Sequence, residues 1–208
     1  MKKIWILMGA LLFVFTALPT QAAYVELNSG AYAGYFGAVG SGRGIGFQAD
    51  AAFTVDSVGF YGNLNQESFD VVIFSSTNGN QANSILTSST AVVGGTGIGW
   101  NEISINYSFN AGDYYVLNWR PTNISTDTWG AAAFYRDSVL PAVIGEGDLV
   151  TLINGVEGFG AENFSNTLHP NLRVNTVVSA VPVPAAVWLF CSALIGLLAF
   201  SQRKHSLT

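Results

Sequence analysis

Residues in the middle of the chain combine aromatic and polar side chains that could bind a ligand: Arg120, Asp127, Trp129 and Tyr135. A sugar ring can stack its apolar face on a flat aromatic ring while polar neighbours bond its hydroxyl groups. The stretch 120–138 has no clean periodicity, which predicts a long loop over one edge of the fold. We therefore predict a ligand-binding site there, with carbohydrate as its ligand.

Core packing is the alternative role for these aromatic residues. Large aromatic side chains bury much apolar area and usually point into the interior. We expect Trp100 and Trp119 to lie in the core. For Trp129 and Tyr135, core packing stays open beside ligand binding.

Carboxylates in the second half of the chain could supply a different chemistry. The acidic residues concerned are Asp127, Asp137, Glu146 and Asp148. If they converge across loops at the separations that glycosidases use, the protein is a secreted glycan-active hydrolase with a carboxylate pair, which is the alternative function. They could also offer oxygen ligands to calcium, but the stretch lacks a full carboxylate repeat, and we expect a solvated turn there.

Other catalytic signatures are weak. His169 precedes Pro170 in a predicted loop, and His205 near the C terminus is the only other histidine. The middle of the chain therefore lacks a two-histidine metal site and has a single candidate base for a triad. Gly44 and Gly46 match a dinucleotide-binding pattern by letters only, because a strand pattern rather than a helix follows them. We predict no catalytic residue, no metal and no cofactor, and hence not an enzyme.

The sequence predicts that β-strands position these residues. Residues 102–109 alternate between polar and apolar, which predicts a strand whose buried face carries Ile103, Ile105, Tyr107 and Phe109. Further strands are predicted at residues 53–60, with an interruption near Asp56 and Ser57, and at 69–73, 115–119, 149–153 and 172–177.

Turns separate these strands. Glycine and asparagine in residues 77–80, 94–97 and 110–113 favour the positive φ that tight turns require. Short strands, frequent turns and no sustained helical periodicity predict an all-β fold, an antiparallel β-sandwich, over residues 23–180.

Charge is distributed unevenly along the chain. All 13 acidic residues lie between Glu26 and Glu162. The predicted exported part, residues 23–180, contains all of them and four arginines, Arg43, Arg120, Arg136 and Arg173, which gives a formal charge of −9. Such a surface should repel nucleic acid and anionic lipid. Arg43 and Arg136 are candidates for structural ion pairs. The only cysteine, Cys191, lies in a C-terminal apolar run, so stability cannot come from a disulfide within the chain.

The N terminus predicts export. Lys2 and Lys3 precede an apolar stretch, residues 4–18, and small residues follow Pro19. This order is typical of a signal peptide that signal peptidase removes, and we predict cleavage after Ala22 or Ala23. Residues 1–22 are therefore assigned to the signal peptide.

The C-terminal sequence, residues 181–208, predicts a tail that inserts into a membrane. A helix from Pro184 to Phe200 would be roughly 26 Å long, which just crosses a thin bilayer core. Arg203 and Lys204 follow the apolar run and place that end on the cytoplasmic side.

This tail resembles the PEP-CTERM sorting domain of diderm bacteria, in its Val-Pro-x-Pro-Ala variant. The resemblance rests on the motif Val181, Pro182, Val183, Pro184 and Ala185, on the apolar helix and on the basic end. It implies recognition by an exosortase-type membrane protease, cleavage near the prolines, and delivery from an inner-membrane-anchored precursor to the cell surface or extracellular matrix. Val183 stands where the motif that names the family has glutamate, which leaves the sorting enzyme open. A plain single-pass anchor is the alternative.

Residues 45–119 also resemble a family of extracellular β-sandwich domains of unassigned function. The matching segments are residues 57–61, 69–74, 85–86, 99–100 and 111–117. The resemblance implies a jelly-roll-like sandwich and no catalytic residue. Taken together, the sequence predicts an exported protein of the cell surface or matrix with a structural or binding role, possible partners being extracellular polysaccharide and, through its tail, the membrane.

Overall fold

The computed structural model describes residues 22–39, 42–95, 97–123, 128–144, 148–158, 163–165 and 168–177, with side chains for all of them except 22, 35–39, 128–131 and 163–165. These residues belong to one compact unit, Gln21–Val178. The predicted signal peptide, apart from Ala22, and the predicted sorting tail lie outside the described residues. The described part is all-β, with two antiparallel sheets as in a β-sandwich.

Each sheet contains seven strands. The first sheet consists of β1 (Ala22–Glu26), β2 (Ala31–Val39), β4 (Phe53–Asn63), β7 (Gly99–Phe109), β9 (Thr128–Arg136), β13 (Leu168–Pro170) and β14 (Leu172–Val177). The second sheet consists of β3 (Arg43–Ala49), β5 (Glu67–Ser76), β6 (Ile85–Val93), β8 (Tyr114–Pro121), β10 (Ala142–Ile144), β11 (Val150–Glu157) and β12 (Asn163–Ser165).

The first sheet has two sections, which are joined by the pairing of the end of β4 with β9 and by Asn171. In one section β4 lies between β14 and β7, and β1 flanks β14. In the other, β9 pairs with β2 and β13. The Asn171 amide donates to the carbonyl of Ala133 on β9 (2.9 Å), and its own carbonyl accepts from the amide of Tyr61 on β4 (3.1 Å). This residue therefore joins the two sections where β13 ends and β14 begins.

The second sheet has the order β10, β11, β3, β8, β5, β6, with β12 also beside β11. A loop, residues 77–83, connects β5 to β6 and folds back over the outer face of this sheet. Ala82 in the loop packs against a small apolar cluster on that face, formed by Val72, Phe74, Val116 and Val156. The loop is closed by a bond between the hydroxyl groups of Ser75 and Ser84 (2.8 Å).

The core lies between the inner faces of the two sheets. Trp119 on β8 is fully buried and contacts Phe60 on β4, with ring centroids 5.6 Å apart. At another point Phe109 on β7 contacts Tyr115 on β8 edge-on, with centroids 4.8 Å apart. Such aromatic pairs contribute roughly 0.5–1.5 kcal/mol beyond the area that they bury. The expected burial of Trp119 is confirmed.

Several sequence predictions match the strands closely. On β7, Ile103, Ile105 and Phe109 are buried and Tyr107 is half-buried, as the alternation predicted. The last predicted strand, 172–177, coincides with β14. The interruption near Asp56 is a register shift between Val55 and Ser57 within a continuous β4, that is, a β-bulge.

The prediction that residues 120–138 form a long loop is wrong for most of that stretch. Residues 128–136 form β9, which pairs with β2 on one edge and with β13 and the end of β4 on the other. Three successive residues, Ala132, Ala133 and Phe134, are all buried. A strand segment whose side chains are buried on both faces does not alternate between polar and apolar residues. The sequence pattern that predicts strands is therefore missing here.

Candidate functional site

Strands β2, β9 and β13 bring three ring-bearing residues into one row. Tyr32 lies opposite Tyr135, and Tyr135 lies opposite His169, so all three project from the same face of this section. The rings of Tyr32 and Tyr135 meet edge-on with centroids 5.9 Å apart. Those of Tyr135 and His169 are stacked with centroids 6.4 Å apart.

Exposure decreases along this row. The side chain of Tyr32 is 51% exposed, Tyr135 is half-buried and His169 is fully buried. Tyr135 therefore supports the ring of Tyr32 from the inner side. Because tyrosine has few rotatable bonds, a ring held in this way can stack on a ligand at a low cost in conformational entropy.

An open cleft of about 410 Å³ lies beside Tyr32. We call it the Tyr32 cleft, and its lining residues are Ala31, Tyr32, Ala33, Arg136 and Ser138. Because Ala31 pairs with Arg136 and Tyr32 pairs with Tyr135, the side chains of Ala31 and Arg136 project from the face opposite to the two tyrosine rings.

The connection from β1 to β2, residues 27–30, packs against His169 and against the end of β9. The backbone amide of Ser29 donates to Nε2 of His169 (3.0 Å), which makes that ring nitrogen an acceptor. Gly30 has a φ of 77° and lies against the backbone of Arg136 and Asp137, where any Cβ would overlap the Arg136 carbonyl oxygen. A glycine is therefore required for this connection to approach β9 so closely.

The expectation of a loop around His169 is wrong. This residue lies in β13, and its neighbour Pro170 is also buried. The connection at residues 27–30 approaches this histidine from a distant part of the sequence, so no local pattern could have revealed its burial.

A second cluster lies on the outer face of the section formed by β1, β14, β4 and β7. We call it the Arg173 platform, and its residues are Tyr24, Gly59, Tyr61, Trp100, Glu102 and Arg173. The guanidinium carbon of Arg173 lies over the rings of both Tyr24 and Trp100, 4.2 Å from each centroid. Nε of Arg173 donates to Oε1 of Glu102 (2.8 Å), and Nη2 binds the same oxygen.

The register of the strands explains how this platform forms. Arg173 lies opposite Gly59, and Gly59 lies opposite Glu102, so the arginine must cross Gly59 to reach the carboxylate. A Cβ at Gly59 would lie 2.8 Å from Cγ of Arg173 and 3.3 Å from the Trp100 ring. Trp100 is therefore half-buried on the outer face, and the expectation that it lies in the core is wrong.

The described residues of the predicted ligand site lie on different sheets. Tyr135 lies on β9 of the first sheet, whereas Arg120 lies on β8 of the second sheet and pairs with Asp70 (3.4 Å). Trp129 lies near the other end of β9, roughly 20 Å along the strand from Tyr135. Its side chain, and the whole of Asp127, lie outside the described residues. Of the predicted set, Tyr135 belongs to the candidate site.

The predicted carboxylate pair stays a prediction. Oδ1 of Asp137 accepts a hydrogen bond from the backbone amide of Val139 (2.9 Å), which holds this side chain in its own turn. Asp148 is exposed and has a φ of 55°. Asp127 and Glu146 lie outside the described residues.

Searches for other sites and relatives found no match. In the part of the chain that the structure describes, no group of three or more histidine, cysteine or acidic side chains could hold a metal ion. The same residues include no helix with the length and hydropathy needed to span a bilayer. Neither a protein-family model nor a curated protein matches the sequence.

Proposed function

We propose that this protein is an exported protein of the cell surface or extracellular matrix, and that its β-sandwich binds carbohydrate in the Tyr32 cleft. The half-exposed ring of Tyr32, braced by Tyr135 at the wall of a cleft of about 410 Å³, is the observation that carries the binding role. A braced and half-exposed aromatic ring suits stacking against the apolar face of a sugar ring.

The route to the surface rests on the two ends of the sequence. The basic and apolar N terminus supports removal by signal peptidase, and the Val-Pro-Val-Pro-Ala motif supports sorting by an exosortase-type protease. In this proposal the tail, residues 181–208, holds the precursor in the inner membrane by a single helix until it is processed.

The strand pairings support a jelly-roll-like arrangement. In the first sheet, neighbouring strands follow the order β2, β9, β4, β7, and in the second sheet they follow the order β3, β8, β5, β6. This is the strand order expected of a jelly roll, in which successive strands alternate between the two sheets. Extra strands, notably β1, β13 and β14, add to this scheme. The Tyr32 cleft lies at one edge of the first sheet, where β2 meets β9.

The proposal is tested by removing the ring of Tyr32. We expect Tyr32→Ala in the full-length chain to weaken binding to oligosaccharides at least tenfold, because stacking is lost, and Tyr32→Phe to retain most of it. Binding would be measured by fluorescence titration against neutral and acidic oligosaccharides of equal length. Tyr24→Ala is the matched control, since Tyr24 is 55% exposed but lies outside the cleft. Equal loss in both alanine variants, or no binding by the wild-type chain, would refute the proposed site.

A further inference from the structure

Strand β6 forms an outer edge of the second sheet. Among the described strands it pairs with β5 alone, so one row of its backbone amide and carbonyl groups faces away from the sheet. The strand spans nine residues, Ile85–Val93, and its sequence contains no charged residue and no proline. Many proteins protect an exposed edge with such residues or with a very short strand. The edge of β6 is therefore open to pairing with another strand.

We propose that β6 pairs in antiparallel orientation with β6 of a second copy of this chain. The two-fold axis of the pairing lies at Ser89, and Leu86 of each copy lies opposite Val92 of the other. Backbone hydrogen bonds between the two edges then join the second sheets of both copies into one continuous sheet. Because both copies use the same strand, the interface closes at two copies and forms a dimer.

The exposure of the side chains on β6 supports this register. Along residues 87–93 the odd-numbered side chains are half-buried and the even-numbered ones are exposed. Ser88 pairs with Val72 of the outer apolar cluster, so the exposed side chains lie on the outer face of the sheet. Two large apolar side chains are exposed at the ends of this row, Leu86 (42%) and Val92 (71%). The proposed axis places them opposite each other twice in the dimer, which removes apolar surface from water.

The distribution of charge also favours self-association through β6. The predicted exported part has a formal charge of −9, so much of its surface repels a second copy. Beside β6, the carboxylate of Asp70 accepts hydrogen bonds from the hydroxyl of Thr90 (2.5 Å) and from Nε of Arg120 (3.4 Å), which balances its charge within one copy. The other carboxylate on β5, Glu67, lies opposite Val93 at the end of the strand. Pairing along β6 therefore joins two uncharged edges.

A single cysteine at the two-fold axis tests this pairing. Ser89→Cys in a Cys191→Ser background places two thiols on directly opposite residues, whose Cα atoms are about 4.5–5.5 Å apart, a separation that a disulfide can bridge. Thr87→Cys in the same background is the matched control, because residue 87 lies opposite Ala91 and roughly 13 Å along the strand from its own copy. After mild oxidation of the full-length chain in detergent, intact mass should show disulfide-linked dimers for Ser89→Cys and monomers for Thr87→Cys.

A charge on the edge should weaken the dimer. We expect Val92→Lys to raise the dissociation constant of the dimer at least tenfold, because a lysine then lies opposite Leu86 at two places in the interface. General charge repulsion predicts the reverse, since a lysine lowers the net negative charge. Val143→Lys is the matched control, because Val143 is 57% exposed and lies on β10 at the other edge of the same sheet. Sedimentation equilibrium of the full-length chain in detergent measures the constant, and thermal unfolding checks the fold of both variants.

Three results would overturn the proposal. The first is a wild-type chain that stays monomeric over a wide range of concentrations. The second is equal formation of disulfide-linked dimers by the two cysteine variants, which would show that collision rather than a fixed register brings the thiols together. The third is a dimer that both lysine variants leave intact, which would assign self-association to another surface, such as the predicted C-terminal helix. None of these results depends on the binding of carbohydrate.

Discussion

Arg173 and Arg136 have different surroundings in the fold. The guanidinium of Arg173 lies over the rings of Tyr24 and Trp100, and two of its nitrogens bind Glu102, so its planar face and part of its hydrogen-bonding capacity are used within the fold. Arg136 has a cleft in front of it instead. The same side-chain type thus stabilises the outer face of one section, whereas in the other section it forms no ion pair with the described residues.

The two arginines should respond differently to replacement by lysine. Arg173→Lys keeps the charge but loses the planar group that lies over two rings, and we expect the free energy of unfolding to fall by about 1 kcal/mol. Arg136→Lys should change it by less than about 0.5 kcal/mol, because Arg136 is exposed and forms no ion pair with the residues that the structure describes. Urea denaturation of the purified chain measures both values. A similar loss in the two variants would contradict the structural role of Arg173.

At the scale of elements, the loop at residues 77–83 depends on glycine at two points. A Cβ at Gly46 on β3 would overlap the carbonyl oxygen of Gly79. Gly79 itself has a φ of 73° and packs against the side chain of Ile153. Asn154 Nδ2 also donates to Oδ1 of Asn80 in the loop. The loop therefore lies flat on the outer face of the second sheet only where β3 has no side chain.

Gly46→Ala should lift this loop from the sheet. Because backbone rather than a flexible side chain occupies the position of the new methyl group, we expect a loss of roughly 1–3 kcal/mol in the free energy of unfolding. Gly99→Ala is the matched control, since Gly99 also lies in a strand and has open space around its Cβ position. Denaturant titration of both variants is the measurement. The packing of the loop would be wrong if the two curves shifted equally.

At the scale of the whole molecule, the lysines and the acidic residues occupy different parts of the chain. Residues 1–3 and 203–204 contain every lysine of the chain, and the region between the two apolar segments is acidic with four arginines. A strongly negative region stays soluble and avoids nucleic acid and anionic lipid. This division supports the proposal of an exported binding protein whose terminal segments are removed.

The sorting proposal is tested by the combined change Pro182→Ala and Pro184→Ala in the native host. The wild-type protein should lose both terminal segments, whereas the variant should keep its tail and remain in the inner membrane. Intact mass and cell fractionation give the outcome, with Ser179→Ala as a control just before the motif. A mature wild-type protein that still ends at Thr208 would contradict sorting and favour a plain membrane anchor.

Much of the architecture could be predicted because strand alternation is a local property of the chain. The buried face of β7, the bounds of β14 and the burial of Trp119 all follow from residue types at short spacing. The turn at residues 110–113 was also predicted, and Gly112 there has a φ of 86°. The composition and the two ends of the sequence likewise supply the export hypothesis without any structure.

The candidate site could be predicted only in part, because it depends on which strands become neighbours. Sequence alone selected Tyr135 but not Tyr32, which lies far away in the chain and meets it only through the pairing of β2 with β9. Whether Trp100 points outward and whether Arg136 has a carboxylate partner are likewise decided by register across strands. Local alternation determines which faces are buried, but pairing between distant strands determines which exposed side chains meet, and only the tertiary structure contains that information.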